Sequence, residues 1–482
     1  MRRLVLFLAA TSLGACSMAP HYVRPELPVP PSWPVGDAYL AQSEATLPSV
    51  SYRDVFRDAR LQTLIEQALV NNRDLRVAAA NIASARAQYH IQRAELLPEV
   101  DATGGYRFAD PGGGNSGGTS VNRGSGGFTA DIGINAFEID LFGRVRSLST
   151  AAQNRYFETE AAARATRLTL VGDIGTAWLT YASDRSLLKI ARDTAASAQS
   201  SVKLTKARLD GGIAPRTDLA QAQIVLTTAQ SDLAQQTTLV AQDVNALQLL
   251  VGAPIDPALL PASIEEAAPT VAALPAGLDS GVLLRRPDVV QAEYELRATN
   301  AQIGAARAAL FPRISLTALA GVASGGLTSL FTGGAFNYSV APSVSYPIFR
   351  AGAGKAGVQQ SEAQRDAALA TYEKAIQTAF REVSDALARR GTIDAQTTAQ
   401  QALTAAATDN YRLSDARYRG GIDTFLQSLD AQRSLYSAQR SLIATELVAA
   451  SNRVTLYRVL GGDATLDMTA SGPKPVSAAA PR

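Results

Sequence analysis

The sequence predicts a mainly α-helical fold with a small β part, written twice along one chain. Three observations carry that prediction. The first is self-similarity: Leu204–Ile213 (LTKARLDGGI) aligns with Leu413–Ile422 (LSDARYRGGI) at an offset of 209 residues. The same offset carries Ala222-Gln223 onto Ala431-Gln432 and Gly252 onto Gly461. Upstream, an offset of 214 pairs Asp74 with Asp288, Ala87-Gln88 with Ala301-Gln302 and Pro98 with Pro312. So many ordered matches mark a tandem duplication of about 200 residues. The second observation is a pair of very long proline-free runs, Arg144–Asp210 and Lys355–Arg419. The third is a set of four short segments rich in β-branched, aromatic and glycine residues, two in each copy.

Each copy opens with a helix, Asn72–Leu96 in the first and Asp288–Leu310 in the second, ending just before a proline. Strand pairs follow near Asp101–Phe108 and Phe128–Ile139, then near Ile314–Val322 and Phe336–Tyr346. The loop between the first pair, Ala109–Gly127, holds eight glycines and is expected to be mobile and exposed. In the second long run Leu369, Tyr372, Ile376, Ala379, Val383 and Ala386 recur at steps of three and four. Val171, Ile174, Trp178 and Tyr181 do the same in the first. That is a heptad seam, and about 65 helical residues extend roughly 100 Å. The pairs Gly211-Gly212 and Gly420-Gly421 break the rods and reverse the chain, and a return helix follows each. Residues 17–48 carry seven prolines and should run extended over the surface.

Composition narrows the function. Charged residues are 18% of the 482, against about 25% in typical soluble domains, and 88 residues are alanine. Of the 45 cations two are Arg2 and Arg3, so the remainder matches the 43 anions. A neutral chain without a basic run argues against nucleic-acid binding. Two histidines, His21 and His90, and the single Cys16 cannot build a conventional zinc or iron site. Gly352–Gly357 matches GxGxxG, but the run behind it is too long for a βαβ unit. Gly114–Gly118 matches GxSxG without a nearby histidine and is read as chance. His90 is read as an ordinary polar contact on a helix. No enzymatic constellation emerges.

The N-terminus supplies an address. Met1-Arg2-Arg3 precedes an apolar stretch and then Leu13-Gly14-Ala15-Cys16. This is the build of a secretory signal, too short to span a bilayer, with Cys16 where a lipobox places its acylated residue. No segment offers 18 consecutive apolar residues, so a membrane crossing would have to be a closed β-barrel. Eleven of the 30 aromatic residues fall within 100–143 and 310–350, as girdles of membrane barrels do. Four strands cannot close a barrel, so several chains must share one.

Three further motifs are Phe137–Arg144 (FEIDLFGR), Leu284–Val289 (LRRPDV), and Tyr418–Asp423 (YRGGID) with Asp430–Arg433 (DAQR). With the lipobox they make the chain resemble, over nearly its whole length, the outer membrane factors of TolC type, NodT/OprM-like branch. The first motif has Phe137 where the family usually carries Trp. The resemblance implies a homotrimer with a long coiled-coil α-helical barrel and a transmembrane β-barrel shared by three chains, four strands per chain. It further implies a passive exit duct in a tripartite pump, with a periplasmic adaptor (membrane fusion protein) and an inner-membrane RND-type transporter. No cofactor is implied beyond the covalent lipid on Cys16, and outer membrane lipid is the remaining partner.

The layout read on this basis is 1–15 signal peptide, 16–60 lipidated extended segment and 61–255 first repeat. Residues 256–285 follow as linker, then 286–462 as second repeat and 463–482 as a polar, weakly ordered tail. The resemblance places Asp218, Tyr418 and Asp423 in a network that holds the periplasmic mouth closed, with Arg419 beside it, and Asp430 in a ring of carboxylates. Gln427 stands where some relatives carry another acid. The turns at Gly211, Gly212, Gly420 and Gly421 become the adaptor contacts.

Overall fold

The computed structural model describes residues 17–39, 51–109, 125–274 and 279–476. The signal segment, Cys16 and the GxSxG match lie outside them. The helices are α1 (Tyr52–Val55), α2 (Ala59–Asn71), α3 (Arg73–Ala94), α4 (Arg144–Asp210), α5 (Arg216–Val251), α6 (Ile264–Ala267), α7 (Pro287–Ala308), α8 (Ala353–Arg419) and α9 (Phe425–Val459). The strands are β1 (Asp101–Ala109), β2 (Ser125–Glu138), β3 (Arg313–Ser324), β4 (Phe336–Ser345), β5 (Leu466–Thr469) and β6 (Gly472–Pro475). The rods α4 and α8 are each 67 residues long, unbroken because no proline removes a ladder hydrogen bond. They start 209 residues apart, at Arg144 and Ala353, so the duplication holds in structure as in sequence.

The chain divides into two compact units. The first comprises Met1–Pro25, Ile82–Glu158 and Ala292–Tyr372. Its centre is an antiparallel sheet in the order β1-β2-β3-β4, each strand beside its sequence neighbour. A bulge between Ile134 and Phe137 interrupts the β2–β3 ladder, where Ala136 has φ +49° and its N–H donates to Thr317 Oγ1 at 3.1 Å. Outside the sheet, the carboxylate of Glu293 on α7 is fully buried. It accepts from Tyr22 (2.9 Å) and Arg24 (2.8 Å) of the N-terminal segment. A buried carboxylate persists only when partnered this way.

The second unit comprises Glu26–Asn81, Thr159–Gln291 and Glu373–Arg482. Val171, Ile174 and Trp178 of the α4 seam are fully buried, as are Ile376, Ala379 and Val383 of the α8 seam. Phe56 and Tyr457 meet edge to face at 5.6 Å beside them. Trp178 keeps its indole N–H satisfied by donating to the Leu259 carbonyl at 3.2 Å.

Two expectations change. The segment after 462 is not a loose tail through 476: β5 and β6 form a hairpin, and Leu466 is fully buried. Asp463 receives both Arg167 nitrogens (3.1 and 2.9 Å) and the Tyr457 hydroxyl (2.9 Å), which fastens the segment. Four-residue strands among glycine and proline carry no periodic signal, so long-range partners decide the outcome. Likewise residues 17–39 are extended as expected but do not merely lie on the surface, because Trp33 is 2% exposed.

Candidate functional site

Two places in the molecule are candidates for a functional site: the faces of the four-stranded sheet and the tips of the helical hairpins. In β4 the even positions Phe336, Tyr338, Val340, Val344 and the following Tyr346 are apolar or aromatic and 56–75% exposed. The odd positions Asn337, Ser339, Ala341, Ser343 and Ser345 are small or polar. Register extends both faces across the sheet. Phe336 lies opposite Val322, Tyr338 opposite Ala320 and Val340 opposite Ala318. Those in turn face Ala130, Ile132 and Ile134. Phe128 pairs with Tyr106, their rings 4.7 Å apart. The opposite face presents Thr103, Thr129, Asp131, Thr317 and Asn337. An exposed apolar face backed by a polar one is inside-out for a soluble protein and right for a membrane barrel. Strands of 9 to 14 residues match the 9–11 that a tilted crossing needs. β1 and β4 each leave one edge of backbone donors and acceptors unpaired within the sheet.

The tips belong to the second unit, and the two copies build them alike. Gly211 and Gly420 N–H donate to the Ala207 and Ala416 carbonyls at 3.0 and 2.9 Å. Ile213 and Ile422 N–H donate to Arg208 and Arg417 at 2.8 and 2.9 Å. Gly212 and Gly421 take φ +70° and +75°, the left-handed conformation that closes a helix and that glycine adopts without strain. A small core holds the tips together: Ala222, Tyr418, Phe425 and Leu429, flanked by Val202, Leu204 and Val225.

The site residues fall out as follows. Tyr418 is buried, its ring 5.3 Å from Phe425, and its hydroxyl has no hydrogen-bond partner. Asp423 accepts from Arg417 Nε and Nη2 at 2.5 and 2.9 Å. The Arg417 guanidinium holds the Asp423 carboxyl below the usual carboxylate range. Arg419 pairs along its own helix with Asp415 at 2.8 Å. Lys206 and Asp210, at the matching places in copy one, form the same pair with charges exchanged, at 3.4 Å. Asp430 is exposed, with Arg433 at 3.8 Å. Asp218 is half-buried in the first turn of α5. Among the described residues no hydrogen bond joins Asp218 to Tyr418 or Asp423. Arg208, which sequence reading passed over, lies across the Tyr418 ring at 4.4 Å. The repeat alignment could have flagged it, since its counterpart Arg417 keeps an aspartate that Arg208 lacks. Gly352, the first glycine of the GxGxxG match, sits at the corner into α8 with φ +84°.

An open sheet with a lipid-suited face, followed by 67-residue helices, defines an outer-membrane channel subunit rather than an enzyme. The sequence profile of the family described as outer membrane efflux protein matches residues 64–253 and 279–462. The chain belongs to that family. It is 46% identical over 471 residues to the antibiotic efflux pump outer membrane protein ArpC of Pseudomonas putida, covering 96% of each chain. Identity is likewise 46% over 471 residues, and coverage 96% of each, with the toluene efflux pump outer membrane protein TtgC of the same species. Its fold matches the open state of the Neisseria gonorrhoeae MtrE outer membrane channel with a TM-score of 0.81. That match has 34% identity and covers 93% of this chain and 98% of the other.

Proposed function

We propose that three copies of this chain close one twelve-stranded barrel in the outer membrane and continue it as a periplasmic helical duct. Small toxic molecules, of the antibiotic and organic-solvent classes named for its relatives, leave passively through it. The observation that carries this reading is the four-stranded sheet with two unpaired edges and an apolar outer face. In lipid an unpaired edge is too costly to persist, and copies of the same chain supply the missing partners. An inner-membrane RND-type transporter would deliver cargo, and a periplasmic adaptor would join it to the duct at the Gly211-Gly212 and Gly420-Gly421 turns. Asp218, Tyr418 and Asp423 would hold the mouth closed until the adaptor docks, with Asp430 lining it. Acyl chains on Cys16 would tether the N-terminus to the same membrane.

The test is mass and conductance together. Protein purified in gentle detergent should run at three times the 50.6 kDa chain, less the signal segment. Reconstituted in a planar bilayer, the same fraction should give discrete single-channel steps. A monodisperse monomer that conducts would contradict the shared barrel.

A further inference from the structure

Asp131 stands in the middle of β2 on the polar face of the sheet, and no polar contact of the fold accounts for it. The register sets Thr103, Asp131, Gly321 and Asn337 side by side in one row across the four strands. Aspartate is disfavoured within strands, and glycine weakens a strand interior. Here the two stand directly opposite each other. A methyl group at Gly321 would overlap Asp131 Oδ1 and the Ala130 carbonyl, so the bare glycine lets the carboxylate lie across the neighbouring strand. Among the described residues no hydrogen bond and no ion pair engages that carboxylate.

The cations of this face are distant. Among the described strand residues it carries two, Arg107 and Arg313. Arg107 lies four positions along β1 from Thr103, about 14 Å away. Arg313 lies eight positions along β3 from Gly321, about 27 Å away. It is moreover paired with Glu138 at 3.4 Å. Asp101, by contrast, is only two positions from Thr103 on the same face, about 7 Å away. Salt screens exposed charges beyond about 8 Å at physiological ionic strength. The middle of the polar face is therefore anionic, with no cation near enough to cancel it.

We infer that Asp131, reinforced by Asp101, sets the charge preference of the duct where it crosses the membrane, favouring cationic over anionic cargo. The inference rests on the proposal that three chains close the sheet into a barrel with its polar face inward. Closure brings three Asp131 carboxylates to one level of the lumen. A ring of like charge inside a low-dielectric wall concentrates counter-ions and repels co-ions. This station is distinct from Asp430, which lies on α9 in the other compact unit.

The experiment uses full-length trimer in a planar bilayer under a potassium chloride gradient, with trimer mass in detergent checked for every variant. Asp131→Asn keeps the shape and removes the charge. It should lower the cation-to-anion permeability ratio about twofold or more at low salt and leave conductance at high salt unchanged. Asp131→Glu keeps the charge and should keep the parent ratio. An assembled Asp131→Asn trimer with the parent ratio overturns the inference, and so does an Asp131→Glu trimer that loses as much as Asp131→Asn. The face reading is tested separately with a water-soluble thiosulfonate on the reconstituted trimer, with the parent chain as blank. Thr103→Cys, on the polar face, should react, and Ile132→Cys, on the apolar one, should not. The reverse pattern overturns the barrel reading itself. Reaction at Thr103→Cys alone, with the parent ratio in Asp131→Asn, overturns only the charge preference.

Discussion

The Trp33 ring stacks on the Phe380 ring, centroids 5.0 Å apart and planes 28° apart, which fixes the N-terminal segment against α8. A chain rich in proline has little ladder hydrogen bonding to hold it, so a buried aromatic anchor carries the attachment. Trp33→Ala should cost about 3–5 kcal/mol at this site. Limited proteolysis is the measurement: cleavage within 17–39 should accelerate while the helical fragments persist. Cleavage at the parent rate would show that the anchor is dispensable.

Glu293 is the second fastening of the same segment. Its carboxylate is 0% exposed and lies 2.8 Å from Arg24 and 3.7 Å from Arg297. Removing Arg24 leaves the buried carboxylate with only the Tyr22 hydroxyl and the more distant Arg297, which weakens the compensation of its charge. Arg24→Ala should therefore lower the thermal midpoint more than Glu293→Gln combined with Arg24→Gln, in which no fully buried carboxylate is left and only the part-exposed Arg297 loses a partner. Circular dichroism melts of the detergent-solubilised protein compare the two; equal midpoints would refute the argument.

Asp243 on α5 and Asp184 on α4 confront each other. Burial, reinforced by the Asp184 charge, pushes the Asp243 carboxyl up to about 7, and burial raises Asp184 as well. Over the interval from the ordinary value of 3.8 to about 7 the folded state binds a proton that the unfolded chain has released. Stability is therefore lost as pH rises through that window. Asp243→Asn should raise the thermal midpoint most at about pH 8, less at about pH 5, and not at all below the ordinary value of 3.8. A shift of the same size at every pH would point to packing instead of ionisation.

Cys16 should incorporate labelled palmitate, and Cys16→Ser should not. Because a shared barrel would hold the protein in the membrane regardless, the substitution should impair sorting more than pore formation. Label persisting in the mutant would sink the assignment.

Asp430 projects from α9 into solvent, 3.8 Å from Arg433. If three copies ring the mouth, Asp430→Ala should weaken cation preference and relieve block by multivalent cations. Reversal potentials under a salt gradient, and current in the presence of a trivalent cation, measure both.

Most of this architecture was legible because it repeats. Arg144–Asp210 appears in the structure with its expected bounds, between Gly143 and Gly211, and the four strands lie within a few residues of their expected places. The seam residues Val171, Ile174 and Trp178 are buried because a step of three and four puts them on one helix face. What stayed hidden depends on partners far along the chain. Nothing local says that Trp33 will meet Phe380, that Asp463 will meet Arg167, or that Leu466 will be covered. The tip was half legible. The Gly-Gly turns read directly, whereas the Arg417–Asp423 pair and the reach of Arg208 across to Tyr418 came only with the structure.

The duplication also changes what mutation can do at the mouth. A ring of six identical single-repeat subunits would have to carry any new side chain at all six stations, and a cation placed everywhere repels itself. A chain that encodes two stations can give each its own charges, as Lys206–Asp210 and Asp415–Arg419, each pair within its own helix and with the signs exchanged, show in miniature. Three copies of such a chain, closed into the proposed ring, would alternate two kinds of station around the circle, so that the duplication would permit a division of labour between adjacent hairpins.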